Sequence, residues 1–180
     1  MDFADSPEDA SFRATVRAWL SANRPARGER VPYDDASLAD EFAFLRDWQR
    51  RLFDAGYVGL LWPREYGGGG APPTQQAILN EELARARAPQ LLNRVGVNNA
   101  GPTLIAHATE ELKQRLLRPI LTGEEVWCQL FSEPNAGSDL AAVRTRAELD
   151  GDHFVVTGQK VWTSYAQFAD RKSIRLNSSH

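Results

Sequence analysis

The spacing of apolar residues changes once along the chain, near residue 125. Before that point apolar side chains recur every three or four residues, which predicts amphipathic helices. One such stripe consists of Leu38, Phe42, Leu45, Trp48 and Leu52. Beyond residue 125, short apolar runs contain β-branched and aromatic residues, which predicts strands. Helices followed by strands indicate an α+β chain with two domains rather than alternating βαβ units.

Capping residues mark the ends of the predicted helices. Ser6 precedes Pro7 and stands three residues before Asp9, which is typical of a capped helix start. Thr74 and Thr109 are candidate caps for two later helices. The pair Thr122-Gly123 predicts the end of the last helix.

Two glycine-containing stretches interrupt the helical pattern. Gly101-Pro102 breaks the apolar spacing that runs from Leu91 to Ala108. Four consecutive glycines, residues 67–70, precede two prolines, so they open no phosphate-binding helix. We interpret this run as a mobile surface loop or, alternatively, as a lip over a ligand.

In the second part, Asp150-Gly151 lies between the runs "AAVRTRAEL" and "HFVVTGQKVW". An Asp-Gly pair between two such runs predicts a β-hairpin. We therefore expect antiparallel strands on both sides of this pair.

Composition and charge exclude several classes of protein. Hydrophobic residues make up 42% of the chain, charged residues 25%, and the net charge is −3, so no basic field predicts nucleic-acid binding. No stretch approaches the ~20 apolar residues of a membrane span. The acidic N-terminus has no apolar signal core, and the single cysteine, Cys128, suits a reducing compartment. These features predict a cytoplasmic protein without a membrane span.

The sequence predicts no metal site. His107, His153 and His180 are far apart in the chain, and Cys128 has no near partner with ligand spacing.

The stretch "QLFSEPNAGSD", residues 129–139, is the first candidate for binding chemistry. The hydroxyls of Ser132 and Ser138 flank a bend with several backbone N–H groups, and such a loop can hydrogen-bond a planar heterocycle or a phosphate. The alternative is a plain turn made by Asn135 and Gly137.

A second candidate follows in "GQKVWTS", where Trp162 precedes Thr163 and Ser164. An aromatic side chain can lie along a flavin-sized ring while the hydroxyls meet the polar edge of that ring. The alternative for Trp162 is packing in the core.

Together these stretches resemble a known family. Residues 127–170, with S-E-P-x-x-G-S-D followed by G-x-K-x-W, closely resemble the middle domain of acyl-CoA dehydrogenases. The resemblance extends over roughly residues 7–170 through "WPREYGGGG", "EELARA", the Gly-Pro break and "ATEELKQRLLRPILTGE". Leu130 and Phe131 depart from the small and then aliphatic residues that are usual before the S-E-P motif.

The resemblance implies FAD as cofactor and assigns residues to it. Gln129, Leu130, Phe131 and Ser132 would contact the isoalloxazine, with Ser132 hydrogen-bonded to its pyrimidine edge. Trp162, Thr163 and Ser164 would border the ring, with Ser164 near N5. Ser138 would contact the acyl-CoA substrate along its pantetheine.

The resemblance also implies the reaction, the α,β-dehydrogenation of an acyl-CoA thioester to a trans-2-enoyl-CoA. Electrons would leave to an electron-transfer flavoprotein, and the complete enzyme would be a homo-oligomer, a tetramer or a dimer. The catalytic base of this family is a carboxylate in a C-terminal helical domain, so no catalytic residue is expected in this chain. Glu133 and Asp139 are not that base, and the 180-residue chain is expected to be inactive.

The resemblance divides the chain into three parts. Residues 1–124 would form the all-α domain, and residues 125–170 a truncated, antiparallel β-barrel-like domain with unpaired strand edges. Residues 171–180, "RKSIRLNSSH", are polar, basic and without strand alternation. We interpret them as a non-family tail translated from a sequencing adapter; the alternative is a natural divergent tail.

Other functions use the same scaffold. The alternatives are a flavin-dependent acyl-CoA oxidase, a monooxygenase acting on small aromatic compounds, and a non-catalytic binding module. Oxygen reactivity and the presence of the carboxylate base would separate them.

Overall fold

The structure is a computed structural model that describes residues 4–25 and 35–177. The chain divides into two compact units, Met1–Glu124 and Glu125–His180. We call them the helical unit and the strand unit. The division falls where the spacing of apolar residues changes from the helical period to short strand-like runs.

The described part of the helical unit contains five α-helices. They are α1 (Pro7–Asn23), α2 (Asp35–Asp54), α3 (Pro73–Ala86), α4 (Gly101–His107) and α5 (Glu110–Thr122). A 3₁₀ turn, Arg64–Tyr66, lies between α2 and α3, and a π-helical turn, Gly96–Ala100, leads into α4. The apolar stripes pack into one core whose fully buried members include Val16, Leu20, Trp48, Leu52, Leu79, Leu117, Ile120 and Leu121.

Most of the predicted helix ends are confirmed. The Ser6 hydroxyl accepts a hydrogen bond from Asp9 N at 3.1 Å, and Thr109 caps α5 in the same manner. Gly123 ends α5 with φ +78°, a conformation that glycine adopts without steric cost. The prediction for Thr74 is wrong, because α3 begins one residue earlier at Pro73, which needs no N–H at this position.

The structure of both glycine-containing stretches differs from the structure that the sequence predicts. The helical backbone continues from the π-helical turn through Gly101-Pro102, since Gly101 N donates to Gly96 O. Pro102 has no N–H to give to the preceding turn, and Val97 O accepts a hydrogen bond from Trp62 Nε1. Residues 67–70 pack against the loop before them: Gly70 N donates to Trp62 O at 2.9 Å, and a Cβ on Gly68 would lie 2.3 Å from Trp62 O. The four glycines therefore permit close backbone packing, a role that neither interpretation included.

Two fully buried amides hold the end of α5. Gln49 Nε2 donates to Ile120 O and Leu121 O, each at 3.0 Å, and Asn93 Nδ2 donates to Ile120 O at 3.0 Å. Asn93 N donates in turn to Gln49 Oε1 at 2.8 Å. The last carbonyls of a helix have no partner within the helix, so the two side chains satisfy groups that burial would otherwise leave unbonded.

A buried carboxylate joins α1 to α3. Glu82 accepts hydrogen bonds from Arg17 Nη2 at 2.8 Å and Arg13 Nη1 at 3.2 Å. The hydrogen bond from Arg17 lowers the pKa of Glu82 to about 2, against the opposing effect of burial. Glu82 therefore stays ionised and links the two helices across neutral pH.

The strand unit contains four short strands: β1 (Trp127–Leu130), β2 (Arg146–Asp150), β3 (His153–Thr157) and β4 (Arg171–Ile174). β2 and β3 form the predicted hairpin, in which Asp150 pairs with His153. Gly151 takes the first turn position with φ +64°, as a two-residue hairpin turn requires. β1 pairs with β4 in parallel.

These strands confirm only part of the predicted fold. A helical N-terminal domain followed by strands is present, but the β1–β4 pair is parallel, so the unit is not wholly antiparallel. Within residues 125–177 the strands form two separate two-stranded sheets and no closed barrel. The forty residues between β1 and β4 supply the long connection that parallel neighbours need.

Residues 171–180 have no strand alternation in the sequence, yet their first four residues form a strand. Arg171–Ile174 form β4, and the chain stays bonded beyond it, since Arg175 N donates to Leu130 O at 3.2 Å. Backbone ladder bonds do not depend on apolar alternation, which explains why the sequence pattern missed a short edge strand. Residues 178–180 lie outside the described residues.

Gln49→Met tests the buried amides at the end of α5. The substitution preserves the side-chain volume. It leaves Leu121 O without its donor and Asn93 N without its acceptor. We expect the free energy of unfolding to fall by about 1–3 kcal/mol, measured by urea denaturation. The control Gln114→Met changes an exposed glutamine of α5 and should shift it by less than about 0.5 kcal/mol. Equal stability of both variants would contradict the assigned role.

Candidate functional site

The S-E-P loop begins where β1 ends. Glu133 N donates to Ala136 O at 2.8 Å and Ala136 N donates back to Glu133 O at 3.1 Å, which closes a turn over Pro134 and Asn135. A turn is therefore present, as the plain-turn alternative stated. The turn is closed by backbone atoms only, so the Glu133 side chain is available for other contacts.

The Glu133 carboxylate accepts four hydrogen bonds from other parts of the strand unit. Oε1 accepts from Thr145 N at 2.9 Å, Thr145 Oγ1 at 2.6 Å and Lys160 Nζ at 2.8 Å, and Oε2 accepts from Arg144 N at 2.7 Å. The hydrogen bond from Lys160, followed by those from Thr145 and Arg144, lowers the pKa of Glu133 to about 2. A carboxylate with four donors binds a proton weakly, so Glu133 is unsuited to act as a catalytic base.

Lys160 completes this arrangement from the other signature motif. Besides Glu133, its Nζ donates to Phe131 O at 3.0 Å and Arg175 O at 2.8 Å. All three ammonium hydrogens thus have acceptors, and the side chain is only 7% exposed. We call Glu133, Thr145 and Lys160 together the Glu133 clamp.

The clamp explains why glycine stands two residues before the lysine. A Cβ on Gly158 would lie 2.2 Å from Thr145 Oγ1. Any larger residue would push Thr145 away from the carboxylate. The G-x-K spacing of the motif therefore reflects a close approach between two backbone segments.

The clamp brings the two predicted flavin-binding segments together. Val161 N donates to Ser132 O at 3.0 Å, so Ser132 lies beside the start of Trp162–Ser164. Gln129, Leu130, Phe131 and Ser132 are half-buried along β1 and its extension. Ser138 lies in the exposed part of the loop, and no hydrogen bond among the described residues ties its side chain to Ser132 or Ser164.

Trp162 does not pack in the core. Its side chain is 91% exposed, and its backbone has φ +59°, in the left-handed region that non-glycine residues seldom occupy. An exposed tryptophan in a strained backbone conformation is typical of a ligand-binding position. The structure therefore contradicts the core-packing alternative.

Thr163 provides a test of whether these residues fit a flavin. Its Oγ1 is buried and has no hydrogen-bond partner among the described residues. An unsatisfied buried hydroxyl costs about 1–3 kcal/mol, which a ligand atom bonded to it would offset. A flavin has hydrogen-bonding atoms along its ring edge, so this hydroxyl and the neighbouring Trp162 fit such a group.

The helical unit contains a separate cleft of about 600 Å³. Its apolar wall includes Leu52, Trp62, Leu79, Leu83 and Val97, and its polar lining includes Gln76, Asn80, Gln90, Arg94 and Asn98. The π-helical turn Gly96–Ala100 forms one side, and such turns are frequent at functional sites. Five of its lining residues lie within residues 91–108, the region in which the Gly-Pro pair interrupts the apolar spacing of the sequence.

Across residues 4–25 and 35–177, no three His, Cys, Asp or Glu side chains gather as metal ligands would. No helix in the same ranges combines the length and the apolar character needed to cross a bilayer.

Known proteins resemble this chain over nearly its full length. Residues 6–124 match the family model "Acyl-CoA dehydrogenase, N-terminal domain", and residues 128–173 match "Acyl-CoA dehydrogenase, middle domain". The middle-domain match thus includes the first three residues of β4.

Individual relatives agree with these matches. Acyl-CoA dehydrogenase IpdE1 of Mycobacterium tuberculosis is 45% identical over 88% of this chain and 42% of its own length. The ChsE4-ChsE5 complex from the same organism has a TM-score of 0.80 at 33% identity, covering 98% of this chain and 44% of that chain. The Tcur3481-Tcur3483 steroid ACAD has a TM-score of 0.76 at 34% identity, covering 100% of this chain and 46% of that chain. The chain thus spans about two fifths of the length of the curated relatives.

Glu133→Gln tests the clamp through the pH dependence of stability. Because the folded pKa is lowered from 4.5 to about 2, the ionised carboxylate stabilises the fold above pH 4.5, and this contribution disappears as the pH falls towards 2. We expect the unfolding temperature of the wild type to exceed that of the variant by several degrees at pH 7. This difference in unfolding temperature should close between pH 4.5 and 2. Thermal denaturation followed by circular dichroism measures it.

The matched control is Glu148→Gln, which changes an exposed carboxylate of β2. It should have little effect on the unfolding temperature at pH 7. A gap between the wild type and Glu133→Gln that persists unchanged at pH 2 would contradict the role of the clamp.

Proposed function

The chain belongs to the acyl-CoA dehydrogenase family, and we propose that it forms part of an FAD-dependent enzyme that converts an acyl-CoA thioester to a trans-2-enoyl-CoA. The observation that carries this proposal is the junction of the two signature motifs. Val161 N donates to Ser132 O at 3.0 Å, directly before the segment Trp162–Ser164, which supports a common site for the two motifs. An exposed aromatic ring and hydroxyls in one place are the features that a flavin wall requires.

We assign the flavin wall to seven residues of the strand unit, namely Gln129, Leu130, Phe131, Ser132, Trp162, Thr163 and Ser164. FAD, when bound, would accept the hydride from the β carbon of the substrate. Ser132 would hold the pyrimidine edge, and Trp162 would cover the ring. The hydroxyls of Thr163 and Ser164 would hydrogen-bond its polar edge, with Ser164 close to N5, where negative charge develops on reduction.

We assign the substrate to two places, each described within its own unit. Ser138, exposed on the S-E-P loop, would contact the pantetheine of the acyl-CoA. The apolar cleft of the helical unit would take the acyl group, since about 600 Å³ accommodates a drug-sized group. The steroid ACAD relative, at 34% identity, supports a cleft that accepts ring-containing acyl groups as well as linear ones.

The proton-abstracting base is proposed to lie outside these 180 residues. Glu133 is held ionised by the clamp, and Asp139 is exposed on the loop. Neither is a suitable base for the α carbon, which calls for a carboxylate with a raised pKa in a dry site. The acceptor of the electrons would be an electron-transfer flavoprotein, and the complete enzyme would be a cytoplasmic homo-oligomer.

Dye reduction tests the activity. We expect the full-length holoenzyme that contains this chain to reduce an artificial acceptor with an acyl-CoA and to form the 2-enoyl-CoA, detected by mass spectrometry. The purified 180-residue chain, from which the proposed base would be absent, should show no turnover under the same conditions. Turnover by the 180-residue chain would contradict the proposed location of the base, and hydrogen peroxide formation without the dye would favour the oxidase.

Thr163→Val tests the flavin wall without an activity assay. The buried hydroxyl has no partner in the described structure, so its removal should leave the thermal stability of the flavin-free protein unchanged or raised. The affinity for FAD should fall about threefold to tenfold in a fluorescence titration, because one hydrogen bond to the ligand is lost.

Thr145→Val is the matched control for that substitution. Its hydroxyl donates to Glu133 at 2.6 Å, so this change should destabilise the flavin-free protein. Unchanged FAD affinity in Thr163→Val would remove Thr163 from the flavin wall.

A further inference from the structure

The cleft of the helical unit contains one feature that general binding of an acyl group does not require. Among the described residues that line it, Arg94 is the only side chain that is charged at neutral pH. The remainder of the lining is apolar, aromatic or amide. No carboxylate lines the cleft to neutralise this guanidinium.

The bonding of Arg94 differs from that of the arginines with structural roles. Arg17 is paired with Glu82 and Arg171 with Glu125, each through hydrogen bonds of 2.6–2.9 Å. Arg94 Nη1 donates to the neutral Gln90 Oε1 at 2.7 Å, and Arg94 forms no ion pair within residues 4–25 and 35–177. Arg94 is an exposed residue, so its remaining donors are open both to solvent and to a ligand in the cleft.

Several amides line the cleft together with Arg94. Gln90 anchors the guanidinium through its carbonyl oxygen, which leaves the Gln90 amide hydrogens available. Asn98 lies in the π-helical turn, and Gln76 Nε2 donates to Asn80 Oδ1 at 3.0 Å on another part of the lining. The cleft thus combines apolar walls with a group of hydrogen-bond donors centred on one cation.

We propose that the cleft selects acyl groups that carry acceptor oxygens, as a carboxylate or a ketone, at the end distal to the thioester, and that Arg94 is the specificity-determining residue. This inference rests on the proposed function. A planar guanidinium binds such oxygens through two parallel N–H groups, and an acyl group that fills the cleft would exclude water from the exposed Arg94. An unsubstituted acyl group would cover the cation without offering it an acceptor, which disfavours binding.

Matched substrates test the proposal in the full-length holoenzyme that contains this chain. Octanoyl-CoA, its ω-carboxylate analogue suberyl-CoA and 7-oxooctanoyl-CoA have the same chain length and differ in the distal group. We expect kcat/KM to be at least about tenfold higher for one or both of the oxygenated substrates than for octanoyl-CoA. Preference for suberyl-CoA would identify a carboxylate, and preference for 7-oxooctanoyl-CoA a ketone.

Substitutions then assign the preference to Arg94. Arg94→Met should lower kcat/KM for the preferred oxygenated substrate by about 10- to 100-fold while leaving octanoyl-CoA unchanged or improved. Arg94→Lys retains the charge without the planar fork and should restore only part of the preference. Arg115→Met, at an exposed arginine of α5 outside the cleft lining, is the control and should change no substrate's kcat/KM.

The outcomes separate this inference from the proposed function. Equal kcat/KM for the three substrates, or a loss in Arg94→Met that affects all three equally, would overturn the role of Arg94 and leave the dehydrogenase assignment in place. Turnover of none of the three, and of no ring-containing acyl-CoA such as a steroid side-chain thioester, would count against the dehydrogenase assignment itself. Calorimetric dissociation constants of the three acyl-CoAs would then judge the inference separately, since equal affinities in wild type and Arg94→Met would overturn it.

Discussion

The ion pair between Glu133 and Lys160 is the constraint on which the candidate flavin site depends. The two residues belong to motifs that are 27 positions apart, and their charged atoms are 2.8 Å apart in the folded chain. Lys160 also bonds Phe131 O, so one ammonium group holds both the carboxylate and the backbone next to Ser132. A buried pair of this kind is tolerated only when its other hydrogen-bonding positions are satisfied, and here they are. The acid of the S-E-P motif therefore shapes the site instead of performing chemistry.

The helical unit follows the same rule. Gln49 and Asn93 satisfy the buried carbonyls at the end of α5, and Glu82 is bonded by two arginines. These groups are saturated because an unbonded polar group in the core would be costly. Arg94 lies outside this core, as an exposed residue of the cleft lining whose side chain bonds the neutral Gln90. Its place as the one charged side chain among the described lining residues, and not the lack of an ion pair alone, makes it a candidate for binding.

Much of the architecture and part of the site could be predicted from the sequence. Helix ends at Ser6, Thr109 and Gly123 depend on residues within one turn of each other, so the local sequence contains the information. The hairpin at Gly151 is equally local. The parallel pairing of β1 with β4 was missed, because it depends on backbone bonds between segments separated by forty residues. The π-helical turn was missed for a related reason, since Trp62, far from it in the sequence, donates a hydrogen bond from Nε1 to Val97 O within the turn.

The sequence by itself determined the family, the order of helices before strands and the residue types of the two motifs. Only the tertiary structure decided what those residues do to one another. Glu133 takes its donors from positions 11, 12 and 27 residues away, and those donors hold it ionised and remove it from consideration as a base. The side chain of Trp162 becomes exposed on a strained backbone, and the hydroxyl of Thr163 is buried without a partner in the described structure. Periodicity and capping act over a few residues, whereas burial and the saturation of hydrogen bonds depend on segments that meet only when the chain folds.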